Sequence, residues 1–237
     1  MSLLKISPKF LIPAFCFFAL PQSGAATLKI LSPAAVAPGY NLPSAGNVTT
    51  FASILANDFD TIITGSLGDP LYLTGADALI VNLPSLGSSY PLAELNTLTQ
   101  IFSGTTRVLI FFENDGWTNS NNQLAGLAGG SYIGQITGLV PISGSSPLSA
   151  GITGSINTAA AGQISGGEQV VGSVLTLRGP ESNVILLGDT NIFDNTRITG
   201  NNLLLAQNVS SFLAVPEPSA ALLGGLGVFT LLRRRRS

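Results

Sequence analysis

Oxygen-bearing side chains crowd together just beyond two strongly apolar runs. Glu113, Asp115 and Trp117 follow Val108-Leu109-Ile110-Phe111-Phe112, and Asp189, Asn191 and Asp194 follow Val184-Ile185-Leu186-Leu187. Clustered carboxylate and amide oxygens suit Ca²⁺, with Asp189, Asn191 and Asp194 as candidate ligands. Two carboxylates, Glu113 with Asp115 or with Asp189, suit glycoside hydrolysis. Trp117 and Tyr132 offer flat faces for a sugar ring. Against these stands the ordinary role of Asp and Asn as caps of turns and helix starts. That role is preferred for the metal candidates, because no D-x-[DN]-x-[DN]-G loop is present. Adjacent alternating residues at one strand end also rarely face a common ligand. Glu113, Asp115, Trp117, Asp189 and Asn191 therefore stand as candidate ligand-binding residues. No catalytic residue is assigned, and neither metal nor cofactor is expected.

The missing residues say more. The chain has 237 residues, no histidine and one cysteine, Cys16. Charged residues make up 9%, against about 25% in ordinary soluble domains. A Ser-His-Asp triad, a Cys-His pair and a histidine-based metal site are all excluded. No disulfide can form within the chain, so a hydrophobic core must hold the fold.

Both ends read as removable signals. Lys5 and Lys9 precede an apolar run from Phe10 to Leu20, and Ser23-Gly24-Ala25-Ala26 supplies the small residues a signal peptidase reads. The run has about 11 residues, too few for a bilayer span of roughly 17–25. Residues 1–26 are thus expected to be a secretory signal, cleaved near Ala25 or Ala26. At the other end, Pro216-Glu217-Pro218 precedes an apolar stretch from Ser219 to Leu232, then Arg233, Arg234, Arg235 and Arg236. Fourteen residues at 1.5 Å rise make about 21 Å of helix, short of a ~30 Å hydrocarbon core. Such a segment suits a transient anchor, and the four arginines favour the cytoplasmic side. The two prolines keep the triplet extended for a processing enzyme.

This tail, residues 215–237, resembles the PEP-CTERM sorting signal of exported bacterial proteins. The resemblance implies recognition by an exosortase, cleavage near the triplet, and delivery to the cell surface or extracellular matrix. Signal peptidase, the Sec machinery, the exosortase and, transiently, the inner membrane are then the expected partners. Residues 27–217 hold four basic side chains (Lys29, Arg107, Arg178, Arg197) against all twelve acidic ones, a formal charge of −8. Such a surface argues against nucleic acid as a partner.

The elements that must position the candidates lie in residues 27–214, enough for one domain. Strands are predicted at 28–31, 61–64, 78–81, 108–112 and 184–187. The last three are continuous apolar runs, as strands buried on both faces require. Helices are predicted at 50–56, 91–102, 121–127 and 199–212; the second carries a stripe of Leu92, Leu95, Leu98, Ile101 and Phe102 behind Pro91. Residues 131–179, rich in Gly, Ser and Thr, read as short strands or a β-ribbon, with alternation at 151–156 and 170–177. Strands alternating with helices imply a three-layer α/β domain with a mostly parallel, flavodoxin-like sheet plus that ribbon insertion. The expected core includes Ile80, Leu109, Phe111, Ile185 and Leu187.

The order of segments, with "ADALIVNLPS", "RVLIFFEND", "SPLSAGI", "NVILLGDTNIF" and "GNNLLLAQNVSSFLA", is similar to the class I glutamine amidotransferase-like fold, and more closely to its non-amidotransferase relatives in exported proteins. Active members place a nucleophilic cysteine in a tight turn after a central strand and a histidine later. Here the strand runs into Glu113-Asn114-Asp115-Gly116, so the resemblance implies a fold and argues against the amidotransferase reaction. The expected role is structural or binding, directed at exopolysaccharide in a biofilm; a carboxylate-dependent hydrolase and a carbohydrate-binding or small-ligand-binding module are the alternatives.

Overall fold

A computed structural model describes residues 26–44 and 46–215. The proposed signal peptide up to residue 25 and the triplet, apolar segment and arginines of the tail lie outside the described residues. Within them no helix is long and apolar enough to cross a membrane.

The chain forms β1 (Thr27–Ser32), α1 (Thr49–Asp58), β2 (Thr61–Ser66), β3 (Ala78–Val81), α2 (Leu92–Ser103), β4 (Arg107–Phe111), α3 (Thr118–Leu127), β5 (Tyr132–Pro141), β6 (Ser155–Ile164), β7 (Glu168–Val171), β8 (Leu175–Arg178), β9 (Val184–Leu187) and α4 (Gly200–Ala214). The main sheet runs β2-β1-β3-β4-β9-β8-β7. Its first five strands are parallel, in the flavodoxin-like order. β8 pairs antiparallel with β9, and β7 with β8.

The apolar runs explain the layering. Every residue of β3 and β9 is buried, because helices cover both faces of the sheet. Alternate side chains go to opposite layers. Ile80, Leu109, Phe111, Ile185 and Leu187 join α1 and α4 in one core through Phe51, Leu55, Leu205 and Val209. Leu79, Val81, Val108, Ile110, Val184 and Leu186 meet α2 and α3 in the other. The expected three-layer architecture and core are thus observed.

Helix ends shift by a few residues from the sequence reading. α3 begins at Thr118 rather than 121 because a 3-10 turn, Asp115–Trp117, leads into it. Pro91 sits one place before α2 as its N-cap. The region 131–179 divides. β5 and β6 form the separate antiparallel ribbon, whereas 168–178 joins the main sheet as its antiparallel edge. The alternation seen from Gly151 is turn up to Gly154, and the strand starts at Ser155.

Candidate functional site

In doubly wound sheets ligands gather where strand order reverses, beyond the carboxyl ends of the strands. Here that point lies between β1 and β3, and the chain fills it with its own loop, residues 33–44. Asn82, fully buried just past β3, donates from Nδ2 to Asn41 Oδ1 (2.7 Å), Ser32 Oγ (3.1 Å) and the Leu42 carbonyl (3.1 Å), while its Oδ1 accepts from Leu42 N (3.1 Å). The Ala34 N–H donates to Glu94 Oε1 at 2.6 Å, and Val36 bridges Pro84.

The sequence candidates gather one strand further along, past β4 and β9. Glu113 turns inward and is 2% exposed; Asp189 is fully buried. Glu113 Oε1 accepts from Thr190 N (2.7 Å) and Thr190 Oγ1 (2.6 Å). Asp189 Oδ1 accepts from Asn191 N (2.9 Å) and Nδ2 (2.8 Å), and its Oδ2 accepts from Ala159 N of β6 (2.7 Å). Tyr40 closes the cluster by donating to Asn191 Oδ1 at 2.7 Å. Burial, reinforced by the neighbouring Asp189 charge, pushes the Glu113 carboxyl up to about 8 against the pull of the Thr190 donors. Burial also raises Asp189, opposed by the Ala159 and Asn191 donors, and raises Tyr40, with Asp194 adding to it.

Local features hold this geometry. The turn after β9, Thr190–Phe193, is nailed down by Phe193, which stacks on Phe51 at 4.2 Å and meets Phe111 edge-on at 6.3 Å. Asn121 of α3 fixes the turn after β4 by donating to the Glu113 carbonyl at 2.6 Å. The ribbon lies directly on both turns. Gly162 N donates to the Gly188 carbonyl at 2.6 Å. A Cβ on Gly162 would run into the Glu113 carbonyl oxygen, and one on Gly188 into the Gly162 carbonyl.

Glu113, Asp189 and Asn191 are therefore brought together, and Asp115 and Trp117 are not. Asp115 is exposed and accepts from the Tyr132 hydroxyl (2.8 Å), and Trp117 donates its Nε1–H to the Pro84 carbonyl (2.7 Å), a loop anchor. Asp194 Oδ1 caps its own turn, accepting from Thr196 N (2.8 Å) and Oγ1 (2.6 Å), so the three calcium candidates do not converge. Among the described residues no group of acidic side chains is disposed to hold a metal. Sequence reasoning missed Thr190, Tyr40 and Asn121. Only Asn121 had a signal, as one of several amides opening a helix. A cleft of about 350 Å³ lies elsewhere, near the amino end of β4, lined by Arg107, Pro147, Asn208, Phe212 and Val215.

No protein-family model and no curated protein matches the chain. Among solved structures it is similar to the mmIFT52 N-terminal domain, at 12% identity and a TM-score of 0.61, over 81% of this chain and 98% of that one. A ThuA-like protein from Bacteroides uniformis follows at 14% identity and a TM-score of 0.49, over 82% and 93% of the two chains. An exo-beta-1,4-mannosidase from Opitutaceae bacterium strain TAV5 has 12% identity and a TM-score of 0.48, over 81% of this chain and 36% of its own length. At 12% identity the likeness to the first of these is one of fold alone.

Proposed function

We propose that this chain is an exported, exosortase-processed surface or extracellular-matrix protein whose α/β domain has a structural or binding role and no catalytic one. One observation carries the reading of the domain. Glu113, two residues beyond β4 in the turn where active members of the amidotransferase-like fold that the chain resembles hold their nucleophile, points into the interior with its carboxyl engaged by Thr190. A carboxylate hydrolase needs an acid and a second carboxylate flanking the bond to be cleaved, roughly 5–10 Å apart. Glu113 and Asp189 are instead sealed beneath the ribbon. The sorting reading rests on the two terminal signals. Exopolysaccharide is the proposed ligand class, since Tyr40, Trp117 and Tyr132 lie half-buried at this end of the sheet.

The processed protein purified from culture should show no turnover on amide, ester or glycoside panels, and should be retarded in affinity gels cast with the producing strain's polysaccharide. Turnover lost in Glu113→Gln or Asp189→Asn would replace this reading with the hydrolase one.

A further inference from the structure

The cleft of about 350 Å³ at the amino end of β4 lies at the opposite end of the sheet from Glu113 and Asp189. One wall is the last turns of α4, with Asn208, Ser211 and Phe212. The other is the turn Pro147–Ser149, which Asn208 Nδ2 ties to the helix by donating to the carbonyls of Leu148 (3.0 Å) and Ala150 (2.9 Å). Arg107 lines the cleft from the first position of β4. Its guanidinium lies over the Phe212 ring, 4.5 Å from the centroid, and donates to the Phe212 carbonyl. That bond satisfies one of the orphan carbonyls at the end of α4, where a cation also suits the helix dipole. A guanidinium carries five donors in a planar fork, which matches a carboxylate. We propose that this cleft is the seat of the chain's own Pro216-Glu217-Pro218 triplet, with the Glu217 carboxylate on Arg107 and the prolines against Phe212 and Pro147.

Reach, charge and shape choose this occupant. α4 ends at Ala214, and Val215 leaves it in extended backbone (φ −71°, ψ 119°) while still lining the cleft. A residue before proline is held in that conformation. Glu217 follows two residues on, within about 7 Å of chain, so the triplet starts at the cleft. Glu217 is the one acidic residue in the sequence after Val215, and Arg107 is the one cation among the described residues that line the cleft. Proline-rich segments, preorganised by their fixed φ, favour aromatic-lined grooves, and Phe212 beside Pro147 offers such a wall. An exposed Arg–Glu pair contributes little by itself, but attachment through Val215 makes this encounter intramolecular. The consequence for sorting rests on the exosortase reading above, whereas the seat does not. A seated triplet must be lifted out before an enzyme can take it, so the folded domain restrains the trimming of its own tail.

The full chain, purified in detergent micelles from a host that lacks an exosortase, tests the seat. In Arg107→Lys, a water-soluble carbodiimide should join the amine at position 107 to Glu217 within one molecule, a link mapped by peptide mass spectrometry. Moving the acid, by Glu217→Gln with Ser219→Glu, should cut the yield of that link several-fold. With the domain itself unchanged, Glu217→Gln should speed hydrogen exchange of the 212–215 amides by about two- to fivefold. Absence of the 107–217 link, an equal yield with the acid at 219, or unchanged exchange in Glu217→Gln overturns the seat. The exchange measurement alters no residue of the folded domain, so it is decisive should Arg107→Lys not fold. In the producing strain, pulse-chase labelling should show Arg107→Met losing its tail faster than wild type, and an equal or slower loss overturns the restraint on trimming. A linked and protected triplet in a chain that is never trimmed supports the seat and defeats the sorting reading instead.

Discussion

Replacing Asn82 with alanine should loosen the loop at the strand-order reversal more than any other single polar deletion there. The side chain is fully buried and makes four hydrogen bonds, two of them to the backbone of Leu42, itself 1% exposed. Asn41 keeps one partner after the change, because Ser32 Oγ already donates to it at 3.2 Å. The Leu42 N–H and carbonyl keep none of the bonds they made to Asn82. A buried polar group stranded in this way costs about 1–3 kcal/mol, so the two together cost about 4 kcal/mol. Domains of this size are stable by only about 5–15 kcal/mol. The midpoint of thermal unfolding should therefore fall by about 10 °C. In urea the midpoint should drop with the m-value unchanged, provided the loop stays seated until global unfolding. Limited proteolysis should locate the weakness, with new cuts within 34–44 in the variant and none in wild type. A loss below about 1 kcal/mol, or cuts distributed as in wild type, would show that the loop seats itself without Asn82 and refute this account of the filled crevice.

Gly162→Ala should destabilise by about 3 kcal/mol or more, since the new methyl meets backbone rather than a yielding side chain; urea melts check this, and a change within error would mean the ribbon sits less tightly than described. Phe193→Ala should cost about 3–5 kcal/mol by emptying the space between Phe51 and Phe111, and its near-ultraviolet circular dichroism should lose aromatic signal. Intact mass of the natural product should lack residues before about 26 and after about 217; a surface species retaining Arg233 to Arg236 would count against exosortase processing.

The uninterrupted apolar runs at 78–81, 108–112 and 184–187 were legible as sheet interior, because only strands covered on both faces can bury every side chain. Strand alternation puts Leu109 with Phe111, and Ile185 with Leu187, on one face of each strand; the register that aligns Ile80, Leu109 and Ile185 then gathers all five in one layer. The absence of histidine and of any cysteine beyond Cys16 removed whole classes of chemistry by composition alone. The segment 168–178 was harder. Its weak alternation fits a ribbon or a sheet edge equally, and the choice depends on whether β9 leaves an open side for it.

The polar candidates mark the same divide. Local sequence put Glu113, Asp115, Asp189 and Asn191 just past strands, where turns need oxygen acceptors. Whether each faces water or the interior depended on what lay above it. Glu113 and Asp189 are covered because β6, distant from both in the chain, lands on them where Gly162 meets Glu113 and Gly188, while Asp115 stays outside beside Tyr132. Thr190 and Tyr40 joined the cluster the same way, Tyr40 across 151 residues. Strand and helix identity follow from the period of neighbouring side chains, so the sequence alone determined them; the burial of a carboxyl follows from contacts between distant segments, which only the assembled chain decides.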